Sequence, residues 1–587
     1  MGRKKKKQKL NIKTYNIKYL ILALLIILIV FITCERIYIL NFFSSSGLVG
    51  NVLGVRTSQN LIQLENALPG TTDWQMTNVA PHGEIQAYVG KDSVNKGEHE
   101  LLYVSVKEPN DRYTYSLYRL GYYGGKGGRF EWRSTYRTAL QQGYYDQSEN
   151  AAYPICPTGG TCQFITSLKD SKGNETYISD ANWRNPLAIP TNTLLSGIYL
   201  VKVTETHHGY QWEAPFIVRD DSRKADLVLQ YPFNTDQAYN YWGGTSLYIN
   251  YRLCPSTGKC STNPYWAFIA SYNRPYTVRG GVGFLFNWGY PMARFLEQQG
   301  YDVTYTTNNA VALGQTNLTN YKGFISMGHD EYWSLSERNK LDLGIAKGLN
   351  VGFFGGNSMY WQIRNLPDSN NQQNRYIVEY KDAINPTPYD PYDVASNPLQ
   401  YLTTTQWRAT PVNNPENKTI KEEWIYGTGN TSLQQDFVVK NASNWIYNGT
   451  GLQDGDKIPS ILGVEADTFV DDINISPEDK ITIIGDSPFI GYGNKVFTTN
   501  AIIDILPTGN IIFNAGAMNW STALTNFRVT KNTPESKALE IMTNNVLQRM
   551  IGNTSFTGGS SGLKNNVFTG NPLVPSFQPG DFFEEQE

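Results

Sequence analysis

YKGFISMGHDEYWS, Tyr321 to Ser334, is the stretch from which the fold can be read. Its apolar run, Gly323 to Met327, is short and stops at Gly328, the pattern of a buried strand. Three ionisable residues follow: His329, Asp330 and Glu331. Continued strand geometry would turn His329 and Glu331 to one side and Asp330 to the other. Ser334 and Glu337 then spell a capping box, and Gly348 closes the helix it opens. Ionisable groups at the carboxyl end of a strand, just ahead of a helix, stand where open α/β sheets carry their sites. The plainer account is that the acids cap the helix and His329 is a satisfied turn residue.

Outward from this centre the alternation recurs. Asp226–Tyr231, Asp302–Thr306, Val351–Phe354, Ile481–Ile484 and Asn510–Asn514 read as strands. Pro291–Gln299 and Pro534–Met550 read as amphipathic helices, the first stopped by Gly300. Apolar strands alternating with helices predict a mainly parallel sheet covered on both faces, over residues 225–553. Within it, the polar, Asn-rich stretch 362–456 shows no placeable elements. Upstream the period changes at Asp220-Asp221-Ser222-Arg223-Lys224. Ile85–Val89, Glu100–Val106, Tyr113–Leu120, Gly197–Val203 and Gln211–Val218 are β-branched or alternating and separated by turn residues. They predict an immunoglobulin-like β-sandwich over 78–219. GYYGGKGGR, Gly121–Arg129, lacks the Ser or Thr and the following helix of a phosphate loop, and reads as an aromatic hairpin loop facing the next domain.

The N-terminus has a different character. Residues 1–18 are basic, and Tyr19–Cys34 carries no charge. At ~1.5 Å per residue that run spans about 24 Å, and the apolar character resumes at Ile37–Phe43. The expectation is a single-pass signal anchor at 19–43 in the cell membrane, with 1–18 cytoplasmic and the bulk of the chain outside. A cleaved signal peptide is the rival, without a clear cleavage site to support it. Residues 44–77 read as a linker and 554–587 as a disordered tail.

The chain has 587 residues, 17% charged residues and a formal net charge of −2, so outside the basic first residues nothing suggests nucleic acid. The lipid bilayer is the expected partner, a small amide or surface ligand the other; oligomerisation is open. Cys156 with Cys162 and Cys254 with Cys260 each form a C-x5-C pair, read as local disulfides suited to an exterior location. A four-Cys zinc site is the alternative, but the spacing is wider than such sites use. Of the five histidines only His329 lies in the α/β region, which excludes a His-rich zinc site there. Ser358, in GGNSM, does not form the G-x-S-x-G elbow of a serine hydrolase. What is plentiful is hard oxygen from Tyr, Glu and Asp, suited to Fe(III), Mn, Mg or Ca.

Several motifs recur in a familiar order: QAYNYWGGTSLY (Gln237–Tyr248), SYNRPY (Ser271–Tyr276), GHDEYWS, FFGGNSMYW (Phe353–Trp361) and GVEAD (Gly463–Asp467). With YRLGYYGGKGGR and SGIYLVKV upstream, they resemble the large (beta) subunit of N,N-dimethylformamidase and its relatives, over roughly Glu65 to Met550. The resemblance implies an α/β domain similar to class I glutamine amidotransferases, without their Cys nucleophile. It implies one iron, expected as Fe(III), held by two tyrosines and a glutamate, and hydrolysis of a formamide. Carried over, Glu331 is the ligand glutamate with His329 beside it, and Glu465 is the catalytic glutamate. Tyr239 and Tyr276 are the expected tyrosine ligands, with Tyr241, Tyr248 and Tyr272 left open. Ala466 and Asp467 depart from the family pattern and put the pocket shape in question. The implied function is an exported, iron-dependent hydrolase of a non-peptide amide C–N bond. The alternatives are a surface binding or adhesion protein that keeps only the fold, and a glycan-active enzyme using Glu331 and Glu465 as paired carboxylates.

Overall fold

In a computed structural model the chain is described at residues 59–524 and 534–552, apart from 110, 150, 170–172, 174, 254–265, 278–282, 382–388 and 428–434. By its contacts the chain divides into Met1–Gln59 and Asn60–Glu587, and every element below belongs to the second unit. The expected anchor at 19–43, the Cys254–Cys260 pair and the tail 554–587 lie outside the described residues. Among the described residues no helix is long and apolar enough to cross a membrane. The linker expectation for 44–77 fails at its described end. Leu61–Asn66 is a helix closed by a capping box between Asn60 and Gln63, and Ile62 beneath it is wholly buried.

The strands read from the sequence form, most with bounds shifted by a residue or two, whereas Ile481–Ile484 proves to be the start of a longer strand, Lys480–Ile490. Ile85–Val89, His99–Val106 and Leu187–Pro190 make one antiparallel sheet. Gln211–Arg219, Gly197–Glu205, Arg112–Leu120 and Gly128–Arg133 are the main strands of a second. Their inward residues, among them Val104, Leu117, Val201 and Phe216, share one core, so the two sheets form a sandwich. Cys156 and Cys162 are bonded in a loop beside it.

The α/β sheet runs in the order Val303–Thr307, Leu227–Tyr231, Gly323–Gly328, Asn350–Gly355, Ile511–Asn514, Val496–Ile505, Lys480–Ile490. The first five strands are parallel, and the last two add an antiparallel hairpin. Alternation splits each strand between two cores: Leu227, Leu229 and Tyr231 face one, Val228 the other. Helices Tyr290–Gln299 and Pro534–Met550 supply residues to the first core, and Leu335–Ala346 to the second. Region 362–456 does contain strands, including Tyr376–Val378 and Glu422–Gly427. Glu422–Gly427 pairs with the distant Glu465–Phe469, so local periodicity carries no trace of it.

The sandwich and the α/β layer meet through a buried ion pair. Arg119 gives its two terminal nitrogens to the Glu297 carboxylate at 3.0 and 2.7 Å, with both side chains wholly buried. The GYYGGKGGR loop lies at this contact, as the sequence predicts: Tyr123 accepts from Arg119, and the Arg294 guanidinium sits 5.0 Å over the Tyr122 ring.

Candidate active site

The Gly323–Gly328 strand ends in a turn that only glycine tolerates. Gly328 has φ +67, and a Cβ there would stand 2.1 Å from Trp288 Cβ. The neighbouring strand ends at Gly355, where a Cβ would stand 2.0 Å from the Gly328 carbonyl oxygen. Two strand ends thus close on one another, and the chain leaves them as His329, Asp330 and Glu331. His329 and Glu331 face one side, as alternation predicts, with Nε2 of His329 3.3 Å from Oε2 of Glu331. The Asp330 carboxylate faces the other way, toward Gln230 and Asn308.

Glu331 is 2% exposed and is the hub of the cluster. Its Oε2 accepts from the Tyr239 hydroxyl at 2.9 Å. Its Oε1 accepts from the Tyr248 hydroxyl at 3.1 Å and from Trp361 Nε1 at 2.9 Å. Tyr239 ends the helix Phe233–Tyr239, which follows the Leu227–Tyr231 strand, and its ring stacks on Tyr248 with centroids 4.4 Å apart. Glu465 begins the strand Glu465–Phe469 and places Oε2 3.6 Å from His329 Nε2. Asn357 donates to that same oxygen at 2.9 Å. The departure at Asp467 has a structural use: its carboxylate accepts the Asn357 backbone N–H at 2.7 Å and so fixes Asn357. Lys381 donates to the Tyr332 hydroxyl at 2.7 Å, and its ammonium lies 4.1 Å from the Trp361 ring centre and 4.2 Å from that of Tyr248.

Burial and neighbouring charge divide the labour among these groups. Burial pushes the Glu331 carboxyl up, but the hydrogen bond and charge of His329, aided by Lys381 and Tyr239, outweigh it and hold Glu331 below the ordinary range. Burial pulls His329 down, but Glu331 and Glu465 overcome that and raise it to about 9. Glu465 is pushed up to about 7 by burial, opposed by His329 and helped by Glu331. Burial lowers Lys381 to about 8 against the pull of Glu331, Glu379 and Glu465. Tyr239 and Tyr248 are driven well above the ordinary phenol range, first by burial and then by Glu331. At neutral pH the cluster therefore holds an anionic Glu331, cationic His329 and Lys381, two neutral phenols, and a Glu465 poised to take or give a proton.

Four of the five residues expected from the sequence come together: Tyr239, His329, Glu331 and Glu465. Tyr276 does not join them. Its hydroxyl is held by the Gln237 side chain, with Asp236 as the strongest charged influence, and Tyr248 stands at Glu331 in its place. The reason is geometric. Gly243 and Gly244, both with positive φ, turn the chain after Trp242, and the Leu247 amide bonds back to Ala238. That return brings Tyr248 onto the Tyr239 ring. Tyr248, Asn357 and Trp361 lie in motifs already singled out. Lys381 lies in the stretch without readable elements and gave no signal; the structure places it at φ +51, where a side chain is uncommon.

The donor set suits a hard cation. Tyr239 and Tyr248 reach different oxygens of one carboxylate, so three oxygen-bearing groups stand in hydrogen-bond contact with one another. Among the described residues no group of three or more His, Cys, Asp or Glu could hold a metal, so a metal here would rely on the phenols. A bound cation would reverse the local preference for neutral phenols, since its charge favours the phenolate.

The pattern described as "N,N-dimethylformamidase beta subunit-like, C-terminal" matches residues 114–535. No curated protein matches the chain. Two solved structures show faint likeness. One is the beta-glucuronidase of Bacteroides uniformis, with 8% identity over 47% of this chain and 28% of that one, at a TM-score of 0.13. The other is a family 123 glycoside hydrolase from Clostridium perfringens, with 10% identity over 49% of this chain and 51% of that one, at a TM-score of 0.10. This chain thus spans about half or less of either structure, and neither likeness bears on fold or function.

Proposed function

The chain belongs to the N,N-dimethylformamidase beta subunit-like family, and from that premise we propose that it hydrolyses a non-peptide amide C–N bond. The observation that carries the reading is the convergence of Tyr239 and Tyr248 on Glu331, with His329 bridging to Glu465. Tyr239, Tyr248 and Glu331 would hold one iron, which when bound would supply Lewis acidity toward the amide carbonyl. Glu465 takes the proton from the attacking water, and Asn357 fixes the oxygen that takes it. His329, kept cationic between two carboxylates, donates a hydrogen bond to the developing oxyanion. Lys381, nearer neutrality, hands a proton to the departing amine. The surrounding rings of Tyr239, Tyr248, Phe284, Trp288 and Trp361 keep bulk water from competing.

Glu331 receives three donors from side chains at 2.9–3.1 Å, which suits a held ligand better than a free nucleophile and speaks against a glycosidase pair. We further propose export with a membrane anchor at 19–43, in keeping with the bonded Cys156 and Cys162. The five parallel strands, with the cluster at their carboxyl ends, support kinship with the glutamine amidotransferase type of domain. The test is metal analysis and visible absorption of the purified full chain, with amine release assayed on N,N-dimethylformamide and larger formamides and acetamides. Tyrosinate-to-iron colour and hydrolysis abolished by Glu465→Gln are expected. A colourless protein that hydrolyses none of these amides with iron supplied would refute the reading.

A further inference from the structure

The sequence marks Glu337 as half of a capping box, and the structure gives it a second task. Ser334 Oγ does accept the Glu337 backbone N–H, at 3.3 Å. The Glu337 carboxylate, however, closes a sealed polar chamber behind the site. Its Oε1 accepts from Asn308 Nδ2 at 2.7 Å and from Gln230 Nε2 at 3.0 Å. The same two nitrogens donate to Asp330, at 3.0 Å from Asn308 and 2.9 Å from Gln230, and Ser326 adds a donor at 2.9 Å. Gln230, Asn308, Asp330 and Glu337 are each at most 1% exposed. Among the described residues, Oε2 of Glu337 and Oε1 of Gln230 have no hydrogen-bond partner. A buried network of this kind adds little net stability over apolar packing, but it fixes geometry.

The chamber sits where the site most needs fixing. After Gly328 the His-Asp-Glu run leaves the ladder of its sheet, and its backbone is held on one side by the Met359, Tyr360 and Trp361 amides, which donate to the Asp330 and Glu331 carbonyls. Asp330 anchors it from behind. Asn308 reaches further: its Oδ1 accepts the Asn234 backbone N–H at 3.3 Å, on the helix that ends in Tyr239. One pair of amides thus ties Glu337 to the run bearing Glu331 and to the helix bearing Tyr239.

We propose that Glu337 is a positioning residue, which through Asn308 and Gln230 holds Glu331 and Tyr239 in register with one another. The proposal rests on reading the cluster as a metal-holding hydrolase site, and it can fail separately. Glu337→Leu is a suitable perturbation, because Asn308 and Gln230 each keep their bond to Asp330 and lose only the one to Glu337. Glu337→Gln restores the Oε1 acceptor at the same place. The full chain of each variant is crystallised, its unfolding midpoint measured, and the tyrosinate absorption of the iron-loaded protein recorded. In Glu337→Leu the Glu331 carboxylate is expected to move by more than about 0.5 Å relative to Tyr239, with a shifted or weakened band and kcat lowered by ~10–100-fold at little change in KM. Glu337→Gln is expected to recover position, band and kcat. Should Glu331 stay in place in Glu337→Leu, or the band change without recovery in Glu337→Gln, positioning by Glu337 is overturned. If the wild type takes up no iron yet Glu331 moves and Gln restores it, the metal reading fails while the positioning role stands.

Discussion

Replacing Tyr248 by Phe is the sharpest single perturbation, because it separates the pairing seen in the structure from the Tyr239–Tyr276 pairing expected from motifs. The substitution keeps the ring that stacks on Tyr239 and removes only a hydroxyl. That hydroxyl donates to Glu331 Oε1 at 3.1 Å and is hydrogen-bonded to the Tyr332 hydroxyl. A hydrogen bond to a charged group contributes about 1.5–3 kcal/mol. Among the described donors, Glu331 Oε1 would retain Trp361 Nε1 alone, so the fold should lose roughly that amount. If the hydroxyl is also a ligand, the loss in cation affinity is at least about 10-fold to 100-fold, at ~1.4 kcal/mol per decade. Tyr276→Phe, whose hydroxyl faces Gln237, should leave affinity and colour unchanged. The assay is iron titration followed by tyrosinate absorption, with denaturant unfolding of the metal-free variants in parallel. Loss of the band in Tyr276→Phe and its survival in Tyr248→Phe would refute the assignment.

Further outcomes are expected. Glu465 must be ionised to take a proton and sits at about 7, while Lys381 at about 8 and His329 at about 9 must stay protonated. Turnover should therefore rise through pH 7, peak below 8 and fall beyond, and a flat profile across this span would contradict the roles given. Arg119→Met leaves the Glu297 carboxylate buried without its cation and should cost about 3–5 kcal/mol in denaturant unfolding; a loss under ~1 kcal/mol would mean the layers are held otherwise. Gly328→Ala combines a left-handed φ with a Cβ 2.1 Å from Trp288, and should yield little folded protein on circular dichroism and gel filtration. Burial raises Glu100 to about 8, so the folded state binds a proton that the unfolded state has released. Stability should fall as pH rises from the ordinary carboxyl range toward 8, and Glu100→Gln should flatten that decline in unfolding measured across pH.

The sequence by itself determined the skeleton. Gly323–Gly328, Leu227–Tyr231, Asn350–Gly355 and Pro534–Met550 are legible because short apolar runs and a 3.6-residue period are local properties of the chain. Alternation alone predicted that His329 and Glu331 would face together with Asp330 opposed, and motif order marked Glu331 and Glu465. Tertiary structure decided what completes the cluster. In a chain with 39 tyrosines, no local feature separates Tyr248 from Tyr276; the turn at Gly243 and Gly244, which folds the chain back on Ala238, does so. Lys381 and the Glu337 chamber were hidden for the same reason. Periodicity records which way a side chain leaves its own backbone, whereas reach across a site depends on how strands far apart in the chain lie side by side.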